Sequence, residues 1–500
     1  RSSVNGSSAP DLSTFVIRSI PWRVPFAPFL LPSSPLRSVT EYRAFGGGLG
    51  LARARELGPE QTIQEVSLSG LRGRGGAGFR TGRKWDSLYN ATGTTKYVVC
   101  NAAEGEPGTF KDRTLMRYNP YQVIEGMAVA ALTIGAREAF LCLKSKFEQE
   151  VANVTKAVAE MEAAGLTGEL TITIVEGPDE YLYGEEKAML EVIEGKAPLP
   201  RLLQPWERGL FAVMPQMGWE MTPPDPEASL GGIDPDAAGQ AEANPTLVNN
   251  VETLANIAPI LTRGAEWHRS MGTADSPGHV ICTVVGDVVH AGVAEIELGM
   301  PLDAALEEVG GGARTGHRVK AVLSGVSNAV VTSDELATRL SYEDMARIGS
   351  GLGSVGLIVY DESACMVDVA YGLSRFLYVE SCGQCPACKF GTGEITAYLA
   401  RLLELRADDR DILTISERLR TVTDGNRCAL PVEERSLISS FLRSFPEEFA
   451  DHLEGRPCAG RHDLAVPKIV DIVDGDAIFD ARQRLKQPDW TYTDQPGRGD

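Results

Sequence analysis

Residues 380–394 read ESCGQCPACKFGTGE. They place Cys382, Cys385 and Cys388 in a C-x2-C-x2-C pattern, and Cys428 follows 40 residues later in DGNRCALP. An iron–sulfur cluster takes a thiolate at each iron vertex, and three close cysteines with one remote is a common arrangement for four irons. Zinc more often uses two separated pairs, and a thioredoxin-type pair explains two of these cysteines but not the third. The spacing therefore points to a four-iron cluster on Cys382, Cys385, Cys388 and Cys428, with zinc as the competing metal. Of the remaining cysteines, Cys142 and Cys282 lie in apolar runs (AFLCLK, VICTVV) and read as small buried hydrophobes. Cys458 stands late and isolated. Nine cysteines in a chain of 500 residues is an odd count in a large protein, which argues against a secreted disulfide framework.

A second group of residues suits phosphate and heterocycle chemistry. GLRGRGGAGFRTGRKW (70–85) carries six glycines, four arginines and a lysine. Glycines let backbone N–H groups approach phosphates closely, and the cations neutralise them. The stretch is neither a P-loop nor a GxGxxG fingerprint, so neither standard nucleotide fold follows from it. Its alternative is a flexible basic loop, though a tryptophan directly after the lysine suggests anchoring in a core. NAAEGEPGTFKDR (101–113) puts Glu104 and Glu106 two apart in a turn, YLYGEEK (181–187) adds Tyr181, Glu185 and Glu186, and NPTLVNNVETLAN (244–256) offers Asn249 and Asn250 before a helix. Each alone is more often a solvated turn or a cap than a site. Together they supply cations, amides and acids suited to a nucleotide or flavin.

These residues need elements to hold them. KYVVCN (96–101), EAFLCLK (138–144) and ELTITIVEG (169–177) read as strands separated by helical stretches over 119–136 and 146–165, which predicts a parallel, helix-covered sheet. Ligands of such sheets sit beyond the carboxyl ends of the strands, where 101–108 and 178–186 leave. Residues 204–245, rich in Pro, Gly and Asp, read as a long loop. Short β-like runs return from 278 to about 360, and four helices follow to about 455, with the three close cysteines between the first two.

Length predicts several domains. With 68 acidic against 48 basic residues and a net charge of −20, the chain lacks the basic face that nucleic acid requires. No run reaches the roughly 18 apolar residues of a membrane span. PWRVPFAPFLLP (21–32) is broken by four prolines and suits a tail packed along a partner. None of the six histidines sits in a convincing general-base position.

The motifs GLRGRGGAGF-TG-KW, NA-EGEPGTFKDR, GEE, PTLVNNVETLAN and ESCGQCPAC, in this order between about residues 42 and 449, strongly resemble the NADH-binding flavoprotein subunit of respiratory complex I. The same family serves as the diaphorase subunit of NAD-linked hydrogenases and formate dehydrogenases. The resemblance implies an α/β fold: an extended tail (1–40), a Rossmann-like flavin/NADH-binding domain (41–277), a ubiquitin-like β-grasp module of the SLBB type (278–360), a helical bundle with a 4Fe-4S cluster (361–455) and a C-terminal extension (456–500). It implies FMN and NADH as ligands, with Gly73, Arg74, Gly75, Gly76, Ala77, Gly78, Phe79 and Gly82 in a loop against both. Lys84, Asn249 and Asn250 are implied at the flavin phosphate, Glu104 near the adenosine ribose, and Glu185 and Glu186 as nucleotide-side acids. Asn101, Glu106, Tyr181 and Gly184 complete the expected set. The family's cluster ligands match Cys382, Cys385, Cys388 and Cys428. Implied partners are a small 2Fe-2S subunit and a larger iron–sulfur subunit of a cytoplasmic redox complex, soluble or peripheral, because no cysteine motif follows Cys458.

Three departures bear on this expectation. Ala103 stands where the family has an acid, Arg80 replaces a proline and Arg83 adds a cation. The new arginines suit a 2′-phosphate, whereas Glu104 opposes one. The long insert displaces the family's aromatic adenine contacts, for which Trp206, Phe211 or Trp219 are candidates. The carboxylate missing at Ala103 and the insert also motivate a rival reading, a non-catalytic relay subunit that carries the cluster without flavin. A zinc-stapled assembly protein is the third.

Overall fold

Four parallel strands, β1 (Tyr97–Asn101), β2 (Glu138–Lys144), β3 (Thr171–Gly177) and β4 (Thr246–Asn250), form a sheet in the order β3-β2-β1-β4. The structure is a computed structural model and describes residues 28–93, 95–212, 242–456 and 458–493. Trp219, most of the 204–245 insert and residues 1–27 of the expected tail lie outside the described residues. The first three strands fall where their apolar runs predict. Both faces of β1 are buried: Val98 and Cys100 join the main core with Ile124 and Met127, and Tyr97 and Val99 pack with Phe140, Tyr183 and Met189. A strand covered on both sides reads as a continuous apolar run rather than an alternation.

Local chemistry sets the connecting helix. Pro120 occupies the first turn of Pro120–Ile134, where its missing N–H is no loss, the Asn119 side chain accepts from Gln122 N, and Gly135 closes the helix at φ +80°. Helix Leu49–Leu68, kinked at Gly58 and Pro59, and strand β4 are not among the elements expected. β4 matters most, because β1 is followed by β2 on one side and flanked by β4 on the other. That reversal opens a crevice at the carboxyl ends of the two strands.

The second module is a mixed sheet of β5 (His279–Gly286), β6 (Gly292–Glu297), β7 (Val319–Ser324), β8 (Val331–Thr332) and β9 (Gly356–Asp361), ordered β6-β5-β9-β7-β8. Helix Leu302–Gly310 packs its Leu302, Ala305 and Leu306 into the module's own core. The bundle follows with Met366–Glu380, Pro386–Leu403, Asp409–Thr421 and Leu430–Ser444, plus a short fifth helix, Pro446–Leu453. The extension straps back across all three parts and carries the hairpin β10 (Ile469–Val473) and β11 (Asp476–Phe479). Arg113 Nη1 donates to Ile469 O at 2.8 Å, Ala291 N to Gly475 O at 2.6 Å, and Lys389 Nζ to Pro488 O at 2.6 Å. Among the described residues no helix is long and apolar enough to cross a membrane.

Candidate active site

A cleft of about 550 Å³ opens above the carboxyl ends of β1 and β4, within the size range of cofactor pockets. Asn101 and Asn250 are register partners at those ends, and the glycine-rich loop lies over them. The loop is ordered by its own backbone: Arg72 and Arg80 form an antiparallel bridge, Gly73 N donates to Phe79 O at 2.7 Å, and Arg72 Nε donates to Gly78 O at 2.8 Å. Gly78 has φ +63°, and a Cβ there would come within 2.3 Å of the Tyr342 ring. Glycine is therefore required by both backbone and space.

Gly73, Gly75, Gly76, Ala77, Gly78, Phe79, Lys84, Asn101, Glu104, Glu106, Tyr181, Gly184, Glu185, Glu186, Asn249 and Asn250 all line the cleft. Arg74 and Gly82 stand outside it. The Arg74 side chain turns inward, buried, its Nη1 3.5 Å from the Tyr342 hydroxyl, so only its backbone serves the loop. Gly82 is a packing glycine, since a Cβ there would meet Ser67 Oγ at 2.2 Å. Arg80 and Arg83 are exposed and are not part of the lining either. Trp206 and Phe211 are likewise exposed outside it, Phe211 against Tyr97 and Phe140.

At one end Lys84 Nζ donates to Glu186 Oε1 at 2.5 Å and to Val248 O at 2.7 Å. The next residue, Trp85, is fully buried and donates from Nε1 to Asn249 Oδ1 at 2.9 Å, which anchors the loop's far end in the core. Glu104 has both carboxylate oxygens engaged inside the protein: Oε1 accepts from Asp112 N at 3.0 Å and Oε2 pairs with Arg113 Nε at 2.9 Å. Lys111 and Asp112 also line the cleft and were missed as site residues, although they sit inside the quoted GTFKDR stretch. Lys111 Nζ binds Asp112 Oδ1 at 2.6 Å and Glu252 Oε2 at 3.0 Å, while Asn250 Nδ2 donates to Asp112 Oδ2 at 2.7 Å. Burial, against the pull of Lys111, pushes the Asp112 carboxyl up to about 6.

Toward the bundle the cleft becomes acidic. The Tyr181 hydroxyl donates to Glu106 Oε2 at 2.6 Å and lies 3.2 Å from Glu433 Oε2. Burial and then the charge of Glu106 push Glu433 up to about 8, and burial raises Glu185 to about 7. Glu433 was not foreseen; nothing in its helical surroundings marks it before the fold brings it here.

The four expected cysteines surround a separate small cavity with Ser381, Gly383, Asn426 and Arg427. Two helix N-termini converge on it. Cys385 caps Pro386–Leu403 with Cys388 in its first turn, and Cys428 lies just before Leu430–Ser444. Partial positive charge at both ends suits an anionic group. A single tetrahedral zinc with Zn–S near 2.3 Å would draw its sulfurs to about 3.8 Å apart. Among the described residues, the sets with ligand atoms within 4.8 Å of one another do not include these four cysteines, as a larger cubane requires. Leu182, Cys428 and Leu430 line both this cavity and the cleft. One layer of residues separates them.

The Nuo51 FMN-binding domain family matches residues 66–259, and the NADH-ubiquinone oxidoreductase-F iron-sulfur binding region matches residues 368–452. An NADH-quinone oxidoreductase F protein of Rhizobium meliloti (strain 1021) is 36% identical over 430 residues, covering 84% of this chain and 95% of that protein. The chain belongs to the NADH-quinone oxidoreductase F family. Another relative is the NADP-reducing hydrogenase subunit HndC of Solidesulfovibrio fructosivorans, 31% identical over 84% of this chain and 82% of that one. A crystal structure of NAD+-reducing NiFe-hydrogenase in the H2-reduced state superposes with a TM-score of 0.71 at 28% identity, over 84% of this chain and 67% of that chain. The sequence likeness to these relatives and the likeness in fold to the hydrogenase chain each extend over 84% of this chain.

Proposed function

We propose that this member of the NADH-quinone oxidoreductase F family oxidises NADH at a flavin held in the cleft and passes electrons singly through a 4Fe-4S cluster on Cys382, Cys385, Cys388 and Cys428. The observation that carries the reading is the shared wall of Leu182, Cys428 and Leu430, which sets a cluster ligand against the nucleotide cleft. Bound FMN supplies the step that accepts a hydride as an electron pair and releases it one electron at a time.

The chain's own residues bind and orient. Lys84, with Asn249 and Asn250 fixed by Trp85 and Asp112, is assigned to the flavin phosphate end, where cation and amides concentrate. The glycine loop offers backbone without side chains, so a planar ring can lie against it. Glu185 and Glu186 are assigned to the nucleotide side. Glu104 braces the 101–113 turn against Arg113. With Arg80 and Arg83 away from the lining, the cleft favours NADH over NADPH. Electrons then leave to partner iron–sulfur subunits, among them a small 2Fe-2S protein, a reading supported by relatives that are themselves subunits of a quinone oxidoreductase and a hydrogenase. A relay subunit without flavin is disfavoured by a cleft that keeps its volume, cation and amides.

Anaerobic titration of the purified protein tests this. NADH should bleach a bound flavin and then reduce the cluster, with NADPH much slower. Iron and sulfide without flavin, or a flavin inert to NADH, defeats the reading.

A further inference from the structure

Two cysteines and two histidines outside the cluster converge at the other end of the bundle. Cys365 precedes helix Met366–Glu380 as its N-cap and is fully buried. His452, buried, closes the fifth bundle helix, and Cys458 and His462 follow in a C-x3-H pattern at the start of the extension. Their four ligand atoms all lie within 4.8 Å of one another. Cys365 Sγ is 3.5 Å from His452 Nε2, and Cys458 Sγ is 3.0 Å from His462 Nε2. Tetrahedral zinc with Zn–S near 2.3 Å and Zn–N near 2.05 Å places sulfur and nitrogen about 3.6 Å apart. The backbone holds the ligands close independently of any ion. Cys365 N donates to Arg461 O at 3.0 Å, and a Cβ on Gly460 would come within 2.9 Å of the Cys365 backbone.

The bonds that orient these ligands point the same way. His452 Nδ1 lies 3.2 Å from Leu402 O, which can only accept, so the proton sits on Nδ1 and the lone pair of Nε2 faces Cys365. A metal-binding imidazole is oriented by this kind of bond. Two thiolates and two neutral imidazoles around a divalent ion sum to zero charge, which a half-buried site tolerates. The soft sulfur donors and tetrahedral reach exclude magnesium and calcium and select zinc.

We propose that Cys365, His452, Cys458 and His462 bind one structural zinc ion that fastens the C-terminal extension to the helical bundle. Zinc has no redox step to offer, so the site stands apart from electron flow. What it fastens matters: the extension supplies Lys486, whose Nζ is 2.8 Å from Glu380, and Glu380 in turn accepts from Tyr181 N in the cleft at 3.0 Å.

The test is metal analysis of the flavin- and iron-loaded full chain grown with zinc supplied, joined to zinc X-ray absorption. One zinc per chain with two sulfur and two nitrogen neighbours is expected. His462→Ala, at an exposed position, and Cys458→Ala should each cut zinc content at least tenfold while iron and flavin stay at wild-type levels. In those variants hydrogen exchange across 469–479 should quicken. Absence of zinc in protein with full iron, iron in place of zinc at this site, a Cys365–Cys458 disulfide, or zinc retained in both variants overturns the proposal.

Discussion

Helix Met366–Glu380 has a cysteine set at each end. At its start stand Cys365 and its partners, their ligand atoms packed within 4.8 Å; at its end lie Cys382, Cys385, Cys388 and Cys428 around an open cavity. Fifteen helical residues span about 22 Å. The two ends use the same element type and the same thiol chemistry, yet differ in reach and in company. The tight set mixes sulfur with imidazole and is no part of the cleft lining. The wide set is all sulfur, sits at two helix N-termini and shares a wall with the nucleotide cleft. Cysteine number and spacing along the chain therefore say less about a metal than the distance over which the fold lets the sulfurs converge.

The contrast can be broken most severely at the wide end. Cys388→Ala should strip the cluster's iron and abolish reduction of partner subunits by NADH, while zinc content holds and flavin bleaching persists; simultaneous loss of both metals would show the two ends to be one site. Next in size is Lys486→Met, which leaves Glu380 buried beside Tyr181 without its cation. Burial works against that carboxylate's charge, and Lys486 with Lys468 holds it ionised below the usual range. Losing the partner of a buried pair costs about 3–5 kcal/mol, so chemical denaturation should reveal a loss of that order, and a change under about 1 kcal/mol refutes the strap's role. Lys84→Met should weaken flavin retention roughly tenfold to a hundredfold, the worth of a charge-assisted hydrogen bond, with iron unchanged; flavin fluorescence after dialysis measures it. A last effect is on pH dependence. Glu433 has its carboxyl raised to about 8 by burial and then by Glu106. Stability that its protonated form supplies is fully present below about pH 4.5 and lost as pH climbs through 8. Unfolding midpoints between about pH 5 and 9 should fall for the wild type and flatten in Glu433→Gln; parallel curves would place that carboxyl in water.

Much of this was legible beforehand. Three of the four parallel strands announced themselves as apolar runs flanked by turn residues, and the spacing of Cys382, Cys385 and Cys388 with the later Cys428 picked out four residues that the fold gathers around one cavity. Strand β4 did not: TLVNN is short, and its partner β1 lies 149 residues upstream (97 to 246), so only the assembled sheet shows the pairing. Arg74 and Gly82 share a glycine-rich stretch with true cleft residues, and composition cannot tell a backbone contributor or a packing glycine from a ligand contact. Cys365 and His452 stand in no metal-ligand motif along the chain, and the fold buries both. Their convergence with Cys458 and His462 depends on where the extension re-enters the bundle, a long-range fact with no local mark in the chain.

The partition formed by Leu182, Cys428 and Leu430 constrains how this molecule can change. Its residues line both chambers, so under the proposed function a substitution that reshapes the nucleotide's berth also alters the dielectric beside the inorganic sulfur. Tuning for a different pyridine nucleotide and tuning of the cluster's midpoint potential cannot proceed independently at these positions.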